Sequence, residues 1–596
     1  MIILRSSFIC LFLYLSSPSS ILAGSGEVGG VFKELSQWQL EKAEKLAFRL
    51  LTEKVITPNI LVATAAVQSA QGFHQEAYSL LHLAQTMSPD SELHLEFPNI
   101  VGPNYYAVDF QVIESKHFRI NFIGKDQIVA ELALDVLEKA YHRLGNLLDV
   151  FPAEQKIKIA VDIYPNPIGL ARATGLSVGE IRASGTIAVC KYHRLMIISP
   201  LSTKGGYGWA DTIVHEFIHL LVSKKSHNNI PIWLHEGIAK FFETAWNGAP
   251  GRGLQSYSEE LLAAAVEKNE LISFDAMHPS MAKLPSQESA ALAFAEVFTV
   301  IEWLYKVHGP QIIAQLLTEV GKHGDLNRVL TELLTFKVSG LEKAWRKYLK
   351  TRSFQRSPGV QPEKVIFQNG DRTPQKQEKY ELKHRGNEKY TRLGALLEEQ
   401  KRYKAALIEY GKAWTQTQSR PSILAYRYGR ILLREKRISL AEQVIATGLL
   451  NYPRNYDLRM LAARISKRRG KNSEALKNLS YAERQNPFNP QIYRTKVDIF
   501  TEEKNKKLLA KAKRFLRMAE SSQNHNDFSR LPNTAWQEAG LLIGKGKLKI
   551  GKKSFRLPQV LDLSNLAPNE RMQLEQKAIN FQLLAEGYPL LVYQFQ

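Results

Sequence analysis

The stretch Asp211-Thr212-Ile213-Val214-His215-Glu216-Phe217-Ile218-His219-Leu220-Leu221 decides how this chain is read. Its apolar residues recur at helical spacing, and His215 and His219 stand four apart, so on a helix both imidazoles leave one face and can share a metal ion. Glu216 falls beside them, where a carboxylate can take a proton from metal-bound water. On these residues alone, a pair of satisfied core histidines would leave the same trace.

The next segment separates the two readings. Pro231-Ile232-Trp233-Leu234-His235-Glu236-Gly237-Ile238-Ala239-Lys240-Phe241-Phe242-Glu243 reads as a second helix and places Glu236 seventeen residues after His219. A catalytic zinc takes three protein ligands and a water, and two His with one Glu is an established set. H-E-x-x-H followed by W-L-x-E-G-x-A-x-F-x-E resembles the gluzincin metallopeptidases, and within them the peptidase MA-like domain. The resemblance covers about Ser115 to Arg352, including a helix from Phe298 to Gly309.

That resemblance implies roles. His215 and His219 would bind Zn2+ through neutral imidazole, with Glu236 as third ligand and one zinc per chain. Glu216 would be the catalytic residue, general base to the zinc-bound water and then proton donor to the leaving amine. His235 would point elsewhere on its helix, and His227 lies in a polar loop. A ligating histidine usually gives its second N–H to a carboxylate. Asp211, one turn before His215, and Glu243, two turns after Glu236, are the candidates, and Asp211 is equally placed to cap its helix. A metzincin is excluded, because the positions that need Gly and His are Val222 and Lys225. One departure stands out: where gluzincins place an oxyanion-stabilising hydroxyl or imidazole, this chain has Phe294 and Phe298, with Tyr305 and His308 off register. The family also leads one to expect an edge strand within Gly185 to Pro200 along which an extended peptide lies.

Working outward, Phe118–Phe122, Ile157–Tyr164, Thr186–Tyr192 and Leu195–Ile198 read as strands, Ile128–Leu148 as a helix, and helices dominate from Thr212 to Arg352. Residues 115–352 are thus expected to form an α+β zincin-like metallopeptidase domain. Residues 31–92 read as helices resembling a tetratricopeptide repeat. Residues 353–380, rich in Pro, Gln and charge, read as a linker. Beyond it Ala406, Ala441 and Ala475 stand 35 and 34 apart, and Pro453 and Pro487 34 apart. Residues 381–525 therefore resemble a tetratricopeptide (TPR) array, an α-helical solenoid, with a degenerate fourth unit from Pro490. Residues 531–596 suggest a hairpin and a helix of no assigned role.

The chain has 596 residues and a formal charge of +21. With 44% hydrophobic residues it can bury real cores, which excludes global disorder. Residues 1–350 carry 32 basic and 35 acidic residues, whereas 351–530 carry 39 and 18, so the basicity belongs to the array. Arg5, the apolar run Phe8–Leu15 and a small-residue end at Ala23 have the order of a secretory signal peptide over residues 1–23, too short to span a bilayer. Export to a bacterial periplasm or the exterior is the expected localisation, with Cys190 the one cysteine of the mature chain and no transmembrane helix.

Two functions of different class follow. The first is an exported zinc metallopeptidase whose repeats recruit a peptide or protein substrate, or a protein partner in their groove. The second is a binding scaffold with a weakly active or inactive metallopeptidase-like domain, supported by Phe294 and Phe298. An anionic envelope polymer would suit the basic repeats. Nucleic acid is not the expected partner, because the array carries no nucleic-acid motif. On this reading the array is a separable module whose removal spares the metal.

Overall fold

The computed structural model describes residues 26–89, 97–107, 110–151, 157–281, 284–362, 365, 367, 388–416, 420–523, 547–550 and 553–556. The signal peptide expected at 1–23 lies outside them, as do 368–387 and most of 531–596. Among the described residues the fold is mostly helical around one mixed sheet, and no helix is long and apolar enough to cross a membrane.

The described residues open with four helices, α1 (Glu27–Ser36), α2 (Leu40–Glu53), α3 (Pro58–Ala70) and α4 (His74–Met87), followed by α5 (Pro98–Ala107). The strands are β1 (Phe110–Glu114), β2 (Phe118–Ile123), β3 (Ile159–Tyr164), β4 (Ala188–Lys191) and β5 (Arg194–Ile198), in the sheet order β1-β2-β3-β5-β4. The sheet begins ahead of Ser115, since β1 pairs antiparallel with β2 from Phe110↔Ile123 to Glu114↔Arg119. β2, β3 and β5 are parallel to one another and β4 returns antiparallel, so β4 forms the edge. The helix α6 (Gln127–Leu148) leads from β2 toward β3, and α7 (Pro167–Thr174) and α8 (Val178–Ser184) lie between β3 and β4.

Every position of β3 is buried, as expected of a strand covered on both faces, yet it carries Asp162. That carboxylate is fully satisfied: Arg194 Nη1 lies 3.0 Å from Oδ2, and His74 Nε2 and Asn121 Nδ2 lie 2.9 and 2.8 Å from Oδ1. Arg194 also donates to the Asn99 carbonyl at 3.2 Å. These bonds tie α4 and the start of α5 to the sheet, because leaving Asp162 buried without partners would be strongly unfavourable.

The helical half holds α9 (Trp209–Ser226), α10 (Ile232–Phe242), α11 (Ser256–Lys268), α12 (Gln287–His308), α13 (Ile312–His323), α14 (Leu326–Leu334) and α15 (Val338–Leu349). Then come α16 (Glu388–Glu399), α17 (Tyr403–Gln416), α18 (Ser422–Arg434), α19 (Ile438–Asn451), α20 (Tyr456–Arg468), α21 (Asn472–Glu483), α22 (Pro490–Glu502) and α23 (Lys506–Gln523). Consecutive members of this last set pack as four pairs. The spacing seen in the sequence has a packing cause. Gly394 of α16 abuts Tyr410 of α17, and Gly429 of α18 abuts Ile445 of α19; an added Cβ would stand 2.7 and 2.6 Å from those side chains. Ala406, Ala441 and Ala475 are all fully buried in the second helix of a pair.

The described part of the expected linker is docked rather than loose. Arg356 reaches Glu260 of α11 at 2.9 Å and pairs with Glu267, while Val360 and Phe367 are buried. The later helix pairs are docked as well: Ala475, Leu479, Phe488 and Tyr493 belong to the same apolar core as the sheet and α9, whereas Ala406, Tyr410, Ala441 and Ile445 of the first two pairs form a core of their own. Tyr207 N–H donates to the Gln485 carbonyl at 3.1 Å, and Trp209 Nε1 donates to the Glu483 carbonyl at 3.1 Å. This corrects the expectation of a separable array, because the chain at the start of α9 is built against residues 274 and 278 positions later. Near the end, β6 (Lys547–Ile550) and β7 (Lys553–Arg556) form the expected antiparallel hairpin.

Candidate metal centre

Helix α9 is buried on nearly every face, from Trp209 at its start to Ser226 at its end, and packs on β4 and β5. It is a central helix, so the polar residues it carries inward need partners or a cation. Helix α10 crosses it and rests closely on α12. Together they bring His215, His219 and Glu236 within reach of one point: one ligand atom from each lies within 4.8 Å of the others, and all three residues are buried.

The geometry fits an ion better than it fits hydrogen bonding. His215 Nε2 and His219 Nε2 stand 3.4 and 3.6 Å from Glu236 Oε2. Ligands of a tetrahedral ion with bonds of about 2.0–2.1 Å sit about 3.3 Å apart. His215 Nε2 and both Glu236 oxygens are buried without a hydrogen-bond partner. Although burial opposes it, the Glu236 and Glu243 carboxylates raise His215 to about 9, and against burial His219 and His215 hold Glu236 down at about 2. The cluster thus seeks positive charge.

The far side of each ring is also held. His215 Nδ1 lies 3.2 Å from Glu243 Oε2, a carboxylate that Lys240 Nζ also contacts at 2.7 Å. His219 Nδ1 lies 2.7 Å from His235 Nδ1, and His235 Nε2 lies 3.0 Å from Ser223 Oγ. Burial first, and then the His219 charge, push His235 well below the usual histidine range, so it is neutral and accepts at Nδ1. With an ion bound, both ligand rings would keep their proton on Nδ1 and turn the Nε2 lone pair to the cluster. His235 therefore does not point elsewhere on the helix. It orients His219, a role that adjacency to Glu236 obscured in the sequence.

Asp211 is a second correction. Gly208 occupies the N-cap position and Asp211 sits in the first turn. Its Oδ1 accepts from Trp246 Nε1 at 3.0 Å, and its Oδ2 lies 3.4 Å from Arg454 Nη1. It therefore neither caps the helix nor makes a described bond to a ligand histidine. Glu216 is fully buried, and its charge is felt by His215, by Cys190 of β4 and by Tyr207.

A cleft opens beside His215 and Glu243, with Asp211 and Thr212 on one wall and Phe294 on another. Phe298 packs instead on Phe241, as does Tyr305. His308 contacts Trp303. Tyr257 of α11 also lines the cleft. Sequence reasoning also missed Arg454, which enters the cleft from the turn between α19 and α20 and stands 3.8 Å from Glu243 Oε1. Its signal is long-range and leaves no local pattern.

A family model described as Peptidase MA superfamily matches residues 142–351, which include α9, α10 and all the residues of the cluster. The match supports a peptidase domain of a superfamily that is generally metal-dependent. A comparison with curated proteins found no match.

Proposed function

We propose that this chain is an exported zinc-dependent metallopeptidase of gluzincin type, which hydrolyses peptide bonds in a peptide or protein substrate. The observation that carries the proposal is the buried His215–His219–Glu236 cluster, its Nε2 atoms turned to one point by Glu243 and His235, inside the segment that matches the Peptidase MA superfamily. His215, His219 and Glu236 hold the ion. When bound, zinc supplies Lewis acidity, acidifying a water and polarising the scissile carbonyl. Glu216 takes the proton of the attacking water and returns it to the leaving amine. Burial keeps bulk water from competing for that proton. β4, as the sheet edge, offers backbone groups to an extended substrate.

The four helix pairs are read as tetratricopeptide repeats that recruit substrate or a protein partner in a groove, with an anionic envelope polymer suited to their basic surface. Export rests on the leader-like order of residues 1–23. Phe294 in the cleft favours a second reading, a TPR scaffold whose peptidase domain is weakly active. One pair of variants decides. His215→Ala should lose the zinc, and Glu216→Gln should keep it while peptide cleavage stops. Unchanged cleavage in Glu216→Gln overturns the mechanism, and a wild type that binds zinc without cleaving peptides supports the scaffold.

A further inference from the structure

A second cluster of metal-ligating side chains lies away from the cleft, where the start of β2 meets the solvent side of α6. His117, at the strand's N-terminal end, is buried, whereas Glu138 is half-buried and His142 is exposed. Glu138 and His142 are four apart on α6 and so share a face. One ligand atom from each of the three lies within 4.8 Å of the other two.

The cluster is organised. Glu138 grips His117 twice, Oε1 accepting the His117 backbone N–H at 3.0 Å and Oε2 standing 2.7 Å from Nδ1. The His117 ring stacks on Tyr141 at 3.7 Å with an interplanar angle of 10°, which fixes its plane. His142 stands edge-on to both rings, its centroid 5.5 Å from each. Two rings and a carboxylate are therefore held together before anything binds, and His142 leaves the remaining directions open to water.

We propose that His117, Glu138 and His142 form a second metal site, taking a first-row divalent ion such as zinc and leaving its other positions to water. Two imidazoles and a carboxylate are the donor types such ions prefer. The ion would take the place of the hydrogen bond between His117 Nδ1 and Glu138 Oε2, and binding needs that nitrogen free of its proton. The two atoms, 2.7 Å apart, need to separate by about 0.6 Å to reach the roughly 3.3 Å spacing of ligands on one zinc. A metal here would pin β2 to α6 from the solvent side.

The site stands apart from the proposed catalytic zinc, and one titration separates the two. Full-length protein stripped with chelator and titrated with zinc should bind two ions per chain. His142→Ala and Glu138→Gln should each bind one ion and cleave peptides as the wild type does. His215→Ala should also bind one ion, the one released by His142→Ala. A single ion in the wild type that His142→Ala retains overturns the second site, as does a second ion that survives in both His142→Ala and Glu138→Gln. Failure of the catalytic reading appears differently, as a count that His215→Ala leaves unchanged.

Discussion

At the scale of single residues, the metal affinity of the cleft depends on groups that never touch the ion. His215 keeps its proton on Nδ1 because Glu243 Oε2 lies 3.2 Å away, and His219 does so because neutral His235 accepts it at 2.7 Å. Without these partners each ring can rotate or change tautomer, and partners of this kind typically govern metal affinity by ten- to a hundredfold. Glu243→Gln and His235→Ala should each weaken zinc binding by about that factor, measured by competition with a chromophoric chelator. Wild-type affinity in both variants would refute the orienting role. A different buried carboxyl carries a pH dependence. Glu296 on α12 accepts the Ile272 N–H at 2.9 Å, and burial pushes it up to about 8, with that bond and Arg346 pulling the other way. An unfolded chain ionises the same group near 4.5, so the folded state holds the proton more tightly. Its stability is therefore fully present below about pH 4.5 and declines as the pH rises to about 8. Glu296→Gln should remove this decline, and the check is Tm at pH 5 and pH 8 for both proteins. A variant whose Tm falls over that interval as steeply as the wild type's would sink the assignment.

At the scale of elements, the approach of α10 to α12 sets where Glu236 stands. Gly237 makes it possible: a Cβ there would lie 2.8 Å from the Val297 carbonyl oxygen and 3.0 Å from Ile301. A backbone carbonyl within a helix cannot swing aside, so Gly237→Ala should push α10 outward and carry Glu236 with it. Overpacking of this kind costs about 1–3 kcal/mol. Thermal unfolding should show that loss together with weaker zinc binding, whereas a stable variant with normal affinity would show that the two helices have slack. The Glu236-Gly237 pair was visible in the sequence, because ligand spacing is chemistry written into a helix period. The reason for its glycine was not, since it depends on a partner helix sixty residues away. For the same cause β1 escaped notice: Phe110-Gln111-Val112-Ile113-Glu114 alternates poorly because it is an edge strand exposed at Gln111, Val112 and Glu114. His235 was misplaced because the crossing of α9 over α10, not the turn of α10 alone, decides what it meets.

At the scale of the whole molecule, the charge asymmetry acquires a structural meaning. The near-neutral half and the strongly basic half meet through pairs in which the basic partner comes from the later segment. Arg454 faces Asp211 and Glu243, Arg356 faces Glu260 and Glu267, Lys511 faces Asp135 at 2.9 Å, and Arg514 pairs with Glu131. Composition located the charge but was silent on its use, because pairing between residues 131 and 514 leaves no periodic trace. Part of the array's positive charge is thus already engaged by the chain itself, beneath a shared apolar core that includes Trp209, Leu479 and Tyr493. Two modules joined only by a linker would unfold separately, whereas modules sharing a core unfold together. Calorimetry of the full-length protein at low salt should therefore show the peptidase domain and the helix pairs melting in one transition, and zinc should raise that transition as a whole. The contacts between Arg or Lys and carboxylates are partly exposed, so they are screened as the Debye length shrinks from about 10 Å at 0.1 M to about 3 Å at 1 M salt. Tm should fall modestly over that range, and Arg454→Ala should reduce the fall by removing the pair nearest the metal. Two resolved transitions at low salt, with only the first responding to zinc, would show that the array is a tethered module and that Arg454 does not couple it to the metal centre.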